Sequence, residues 1–563
     1  MLTRWVPGLG TARRYQRAWL SHDLVAGFVL TALLIPQGMA YAELAGLPPV
    51  TGLYTTVLAL TAYAVFGPSR ILVLGPDSAL GPLIAAAILP LVGANGDPAT
   101  AIALAGMLAI LMGVICIVAG LARLGSIAEL LSKPVRIGFL NGIAVVVIVG
   151  QLPKLFGFST DGSGLFDEMR AFVDGVKDGQ TVGPSLAIGL ASLGVILAFR
   201  RWLPRVPGVL VAVVGAIVAV GLLDLTARGV AVVGVVPAGF PAPALPRIDL
   251  DQLIPLAIAA AGIAFVTLAD TTATSRSFAA KRGDRVEPNQ EIAALGVANV
   301  AAGFFQGFPV STSASRTAVA ESTGARTQLT GLVGAAAIVF VLLVANGLVQ
   351  DLPSSTLAAI VIAAALSLFD LATLRWLGRV RPSELVLSLA ALLGVAVLGV
   401  LPGIVVAIGL SLGNFIRRAW RPHAAVLGLD PDQQGFHDIE RHRDRSEIPG
   451  LVIYRFDAPI FFANADFFHE SLQQEIAGRS DPIRWVIVAA EPITDIDTTG
   501  ADALSDLVDE LDAAGTALVF AEMKGPVTDR LRRYELYTHF GDDRFFPTID
   551  TAVAAYLSGT EIA

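Results

Sequence analysis

From Leu24 to about Arg417 the chain repeats an apolar run of about twenty residues, separated by short polar links. Runs such as "LAGMLAILMGVICIVAGLA" (104–122) and "TGLVGAAAIVFVLLVANGL" (330–348) are each long enough to cross the roughly 30 Å of hydrocarbon in a bilayer. A soluble domain cannot bury so many of them, so this part of the chain is expected to live in lipid. Charge divides the sequence in the same way. Residues 1–425 hold 28 Lys and Arg against 21 Asp and Glu, net +7, and residues 426–563 hold 11 against 26, net −15. The expected organisation is a cytoplasmic N-terminal segment (1–23), a transmembrane domain (24–425) and an acidic soluble domain (426–563). So acidic a tail disfavours a nucleic-acid partner. The single cysteine, Cys116, excludes disulfides within the chain and reads as lipid-facing or packing surface.

Fourteen spans fit the pattern, at about 24–44, 50–66, 71–91, 99–120, 135–152, 182–199, 207–224, 253–273, 290–305, 309–320, 328–349, 354–370, 383–400 and 403–419. The first begins after Arg4, Arg13, Arg14 and Arg17 and has no A-x-A cleavage pattern, so it reads as a retained span. The basic clusters then fall on one side: the N-terminal arginines, Arg70, Arg123 to Arg136, Arg200 to Arg205, Lys281 to Arg285, Arg326, Arg375 to Arg381 and Arg417 to Arg421. The positive-inside rule places both termini in the cytoplasm.

Two spans break the pattern. The third begins "ILVLGPDSALGP" (71–82) and the tenth begins "GFPVSTSAS" (307–315), and each is third in a set of seven. Pro76 and Pro309 lie 233 residues apart, and the same offset carries Gln37 in the first span onto Asp270 in the eighth. Paired interruptions at matching places point to a transporter site built from inverted repeats. An extended run ahead of a half-helix leaves amides free at its positive dipole end, which attracts anions. The amides near Ser311, Thr312 and Ser313, and near Ser78 and Ala79, are therefore expected to face one anion.

Arg316 either completes that site or pairs with Glu321 near the cytoplasmic edge. Asp270, deep in "AFVTLADTTATSRSFA" with Thr274 one turn on, is a candidate proton or cation coupler, because intramembrane carboxylates are functional by default. Asp77 either makes uptake proton-dependent or caps the half-helix. Glu43, at the end of the first span, reads as solvated near the outer surface. In the tail, alternating runs "LVIYRF" (451–456), "IFFA" (460–463), "WVIVAA" (485–490) and "ALVFAEM" (517–523), with the helix-like "TTGADALSDLVDELDAAG" between, predict an α/β sheet domain. No nucleotide P-loop, metal-ligand cluster or nucleophile triad is recognisable, so neither a cofactor nor an enzyme is expected.

The stretches "IPQGMAYAELAGLPPVTGLY" (35–54), "FGPSRILVLGPDSA" (66–79), residues 276–331 and "VIYRFDAPIFFANADFF" (452–468) resemble the SulP anion permeases, a family of sulfate transporters and anion exchangers. The resemblance implies a polytopic α-helical membrane protein of about fourteen segments in a 7+7 inverted repeat, with a core domain moving against a gate domain, followed by a cytoplasmic α/β STAS domain. It implies a site formed by Gln37, Tyr41, Asp77, Ser78, Asp270, Thr274, Ser313, Ser315 and Arg316. Many plant and animal members carry an apolar residue where Asp77 stands, which favours proton-linked prokaryotic uptake. The STAS resemblance makes Thr498 or Thr499 a candidate phosphate acceptor, beside the plainer role of Asp497 or Thr498 as a helix cap.

The expected function is secondary active import of an oxyanion, sulfate first, with H⁺ as the coupling ion. Sodium-coupled bicarbonate transport, proton-coupled dicarboxylate transport, an uncoupled anion channel and a membrane-tethered signalling scaffold stand as alternatives. A multi-pass protein of the inner (plasma) membrane and, by family likeness, a homodimer are also expected.

Overall fold

Proline marks where several of the membrane helices begin. Pro49, Pro98, Pro288 and Pro382 occupy the first helical position of their helices, where the fixed φ suits a helix and the missing N–H leaves no bond unmade. The computed structural model describes residues 6–92, 96–125, 132–160, 164–203, 206–284, 286–430, 435–440, 446–560 and 562. Arg4, Arg205 and Arg285 of the basic clusters lie outside the described residues. The chain divides into two compact units, Met1–Ser411 and Leu412–Ala563.

In the first unit α1 (Pro7–Arg13) precedes α2 (Leu20–Leu44), α3 (Pro49–Phe66), the short strand β1 (Leu74–Gly75), α4 (Gly81–Val92), α5 (Pro98–Leu121), α6 (Lys133–Phe156) and α7 (Leu165–Lys177). Then follow α8 (Gly183–Trp202), α9 (Gly208–Leu223), α10 (Leu250–Arg282), α11 (Pro288–Phe304), β2 (Ser311–Thr312), α12 (Ala314–Ser322), α13 (Leu329–Val344), α14 (Ser354–Leu368), α15 (Leu371–Val380), α16 (Pro382–Leu398) and α17 (Val400–Trp420), whose residues after Ser411 belong to the second unit. Among the described residues eight helices are long and apolar enough to cross a membrane, and α4, α9, α13 and α16 are shorter apolar helices. The tenth expected span is largely not a helix. Residues 307–313 are extended or strand and only Ala314–Ser322 coil, because Pro309 and the hydroxyl-rich run that follows favour an extended backbone.

The helices sort into two groups. In one, α5 packs on α10 and α11, while α13 packs on α2 and α3. The two sets of contacts exchange the first helices of each half, as an internal two-fold repeat requires. The other group joins α6 to α14 and α16, and α8 to α9 and α14. Glycine sets the close approaches. A Cβ on Gly113 would lie 2.6 Å from the Gly296 carbonyl, and one on Gly303 2.4 Å from that of Gly106, so α5 and α11 touch backbone to backbone along one seam. Gly138 does the same at the α6–α16 crossing, where a Cβ would meet the Ser388 carbonyl at 1.8 Å. Cys116 is fully buried on α5, which makes it packing surface rather than lipid contact.

The second unit is built on a six-stranded sheet in the order β4-β3-β5-β6-β7-β8. Its strands are β3 (Ala424–Asp430), β4 (Gly435–Asp438), β5 (Leu451–Phe456), β6 (Trp485–Ala489), β7 (Ala517–Ala521) and β8 (Phe545–Phe546). The pairs from β5 to β8 are parallel and β3 is antiparallel to both of its neighbours. The helices are α18 (Ala465–Ala477), α19 (Thr498–Ala513), α20 (Gly525–Arg533), α21 (Leu536–Phe540) and α22 (Ile549–Leu557). Period-two alternation along β5 sends Val452, Tyr454 and Phe456 into one core and Leu451 and Ile453 into a second. Both faces are thus covered, as parallel strands demand. Residues 460–463 do not form the expected strand. Ile460 makes one isolated bridge to Ile496, and the chain then turns into α18, where the Asn464 side chain accepts from the Phe461 amide at 2.9 Å.

Candidate functional site

Inside the first unit two extended segments cross each other where an apolar interior offers no water for their backbones. Leu74 pairs with Thr312 and Gly75 with Ser311 in an antiparallel bridge, and the Ser313 amide donates to the Val73 carbonyl at 3.0 Å. Side chains satisfy what the strands leave open. Thr317 Oγ1 accepts from the Val73 amide at 3.0 Å, Asn299 holds both polar groups of Val310 (2.8 and 3.2 Å), and Thr55 Oγ1 accepts from the Phe308 amide at 3.2 Å. Irregular backbone at membrane depth is tolerable only with such partners.

The crossing aims two helix starts into one cavity. Asp77 caps the turn that begins α4, its Oδ1 accepting from the Ala79 amide at 2.9 Å and its carbonyl from Leu80 and Gly81. Ser313 caps α12, its hydroxyl accepting from the Arg316 amide at 3.4 Å and lying 3.2 Å from the Ser315 hydroxyl. The cavity, of about 750 Å³, is lined on this side by Gln37, Tyr41, Asp77, Ser78, Ser313, Ser315 and Arg316. Ile196 and Arg200 of α8, Val209 of α9, and Ile360, Ala363 and Ser367 of α14 form the opposite wall. The site therefore lies between the two helix groups.

Arg316 is the dominant charge. It is 1% exposed and, among the described residues, is the largest fully buried side chain and has no hydrogen-bond partner for any of its three guanidinium nitrogens. Its charge acts on Asp77 and Tyr41. The guanidinium lies under the strand crossing, where a Cβ on Gly75 would come within 3.0 Å of Nη1. A buried, unsatisfied guanidinium is costly unless its donors find an acceptor, and its planar fork matches the oxygens of an oxyanion. No Arg316–Glu321 ion pair is formed among the described residues.

The remaining candidates fall elsewhere. Ser311 and Thr312 are buried in β2, outside the cavity lining, and the Thr312 hydroxyl donates to Thr271 of α10 at 3.3 Å. The amide of Ser313 is already committed to the Val73 carbonyl. Asp270 and Thr274 lie on α10, next to the strand crossing but not on the cavity wall, and the charges acting on Asp270 are those of Asp77 and Arg136. Glu43 is not solvated. Its side chain is 16% exposed and sits 3.9 Å from Lys154 of α6, an ion pair that joins the two helix groups. In the second unit Thr498 and Thr499 are exposed in the first turn of α19, and Asp497 is the cap, its carboxylate accepting from the Gly500 and Phe462 amides.

Sequence reasoning missed Arg200, which it placed only among the basic clusters, and Glu291. The carboxylate of Glu291 is buried and takes hydrogen bonds from Tyr63 (2.6 Å) and Ser69, tying α3 and α11 to the loop that enters β1. A single Glu in the apolar context "NQEIAALG" was the available signal.

The sulfate permease family profile matches residues 20–391 and the STAS domain profile residues 442–552. A protein of Mycobacterium tuberculosis named "Probable sulfate transporter" is 42% identical over 552 residues, covering 98% of each chain. Prestin of Rattus norvegicus is 32% identical over 500 residues, covering 84% of this chain and 66% of its own. Among solved structures, SLC26A9 superposes with a TM-score of 0.91 at 21% identity, covering 99% of this chain and 93% of its own. The transmembrane domain of a cyanobacterium bicarbonate transporter, BicA, superposes with a TM-score of 0.61 at 26% identity, covering 70% of this chain and 98% of its own.

Proposed function

Because the chain belongs to the sulfate permease family, we propose that it imports an oxyanion, sulfate first, by secondary active transport, the anion resting against Arg316 between the starts of α4 and α12. The observation that carries this reading is the buried guanidinium of Arg316, unpartnered among the described residues, in a side chain that lines a cavity shared by two helix groups. Hydroxyls of Ser78, Ser313 and Ser315, Gln37 and Tyr41 replace part of the anion's hydration, and two helix dipoles add partial positive charge. The substrate stays chemically unchanged, and no enzymatic step is needed.

The charge of Asp77 acts on Asp270 within this region. A proton taken by either removes one negative charge from the neighbourhood of the incoming anion, which links anion entry to proton entry. Ser322, Thr323, Arg200 and Ser367 line the end of the cavity where the basic clusters gather. With that end cytoplasmic, the conformation faces inward and the Glu43–Lys154 pair closes the outer end. In this reading both termini lie in the cytoplasm of a plasma-membrane protein, with a transmembrane domain of fourteen spans over 24–425 and a STAS domain over 426–563. A homodimer is the assembly that fits the family.

Uptake of labelled sulfate into proteoliposomes with an imposed proton gradient tests the reading. Accumulation above equilibrium is expected, and Asp270→Asn is expected to retain sulfate binding while losing gradient-driven accumulation. Undiminished proton-driven accumulation in that variant rejects the coupling role. The resemblance to a bicarbonate transporter supports a second reading, sodium-coupled bicarbonate uptake, which a sodium gradient with labelled bicarbonate distinguishes.

A further inference from the structure

The N-terminal segment and a loop some fifty residues later enclose a second basic cavity, with none of the central cavity's lining residues. It has a volume of about 420 Å³ and is lined by Arg13, Arg14, Trp19, Arg70 and Thr327, with further residues of α1. Its walls are fixed. The helix α1 docks tightly on α3, where a Cβ on Gly8 would lie 2.4 Å from the Ala64 carbonyl. Tyr15 packs edge-on against Trp19 with ring centres 5.8 Å apart and donates to Asp23 at 3.2 Å. Asp23 is itself fully buried, accepting from the amides of Arg326 (2.7 Å) and Thr327 (3.0 Å) and from the hydroxyls of Thr327 (2.7 Å) and Thr330 (3.1 Å).

Three arginines therefore line one pocket. Among the described residues no carboxylate lines it, and none of Arg13, Arg14 and Arg70 forms an ion pair. From its rim Leu20, Leu24 and Phe28, all exposed, run up one stripe of α2 at a spacing of four residues. Trp19 stands at the base of that stripe, as aromatic residues do at the headgroup level. A ligand that matches both parts has a negative phosphate and an apolar tail.

We propose that this cavity binds the phosphate of an anionic membrane lipid, its acyl chains lying along the Leu20–Leu24–Phe28 stripe. Basic pockets between spans are suited to such headgroups. Occupancy bears on transport through Arg70. Its loop is pinned by Ser69, which donates to Glu291, and by Gln328, whose Nε2 donates to the Ser69 and Leu72 carbonyls at 2.9 Å each. The same loop runs directly into β1 and the start of α4, so a bound phosphate steadies the approach to the broken segment.

The full chain, delipidated in detergent and titrated with phosphatidylglycerol or phosphatidylcholine, tests this by native mass spectrometry. Wild type is expected to retain phosphatidylglycerol over phosphatidylcholine. Arg14→Gln/Arg70→Gln is expected to lower that retention about tenfold, equivalent to roughly 1.4 kcal/mol. Arg14→Lys/Arg70→Lys is expected to restore most of it, and the charge-matched pair Arg375→Gln/Arg379→Gln to leave it unchanged. Equal retention by the wild type, the Arg14/Arg70 glutamine pair and the Arg375/Arg379 pair overturns the proposal. If inorganic phosphate is held by the same arginines while the two lipids are retained alike, the ligand is a soluble phosphate and the lipid assignment falls. None of these readouts depends on which anion the protein transports.

Discussion

Arginine and serine at the strand crossing carry the account at the level of single residues. The sequence run from Phe308 to Gly324 is rich in hydroxyls, but they divide into two kinds of work. Thr317 serves the Val73 amide and Thr312 binds Thr271, while Ser313 and Ser315 face the cavity with Arg316. Composition reveals the polar run, but only the path of the backbone separates scaffold from site, because one residue of advance in a strand turns a side chain to the opposite face. Arg316→Lys keeps the charge and discards the bidentate fork, so binding of a tetrahedral oxyanion is expected to weaken about tenfold to a hundredfold, measured by calorimetry with sulfate. A lysine variant that binds as tightly as wild type would mean that charge alone suffices.

At the scale of elements, the two breaks and their 233-residue offset were legible because proline and glycine punctuate an otherwise uniform pattern. The helix starts at Gly81 and Ala314 keep that same offset. The pairing of the helices was not legible, since it rests on glycines that look alike in sequence whether they meet a backbone or lipid. Gly296 meets the carbonyl of Gly113, so Gly296→Val is expected to separate α5 from α11 and cost about 1–3 kcal/mol, lowering the thermal unfolding midpoint of the purified protein. An unchanged midpoint would contradict the close seam. Glu43 and Lys154 give a second element-scale expectation. Breaking the pair with Glu43→Gln should raise labelling of cysteines placed at the outer ends of α2 and α6, and the exchange Glu43→Lys/Lys154→Glu should restore protection. Failure of the exchange to restore it would remove the pair's role as a latch.

For the whole molecule, two materials with opposite charge were read from composition, and they correspond to a helical membrane unit and an α/β unit. Strands such as Leu451–Phe456 were visible as alternating runs, whereas Ile460 to Ala463 only imitated one, because an apolar run of four residues fits a turn as well as a strand. The second basic cavity escaped sequence reading altogether. Arg14 and Arg70 meet only when α1 folds back on α3, and nothing local announces that contact.

The central claim is that an oxyanion rests between the two helix starts against Arg316. Selenate mimics sulfate and scatters anomalously at the selenium edge, so crystals grown with selenate locate it directly. A peak is expected in the central cavity within about 4 Å of the Arg316 guanidinium, the reach of a direct ion contact, bounded by Ser78 and Ser313. A fully occupied selenate elsewhere, with that position empty in a protein that transports sulfate, would contradict it.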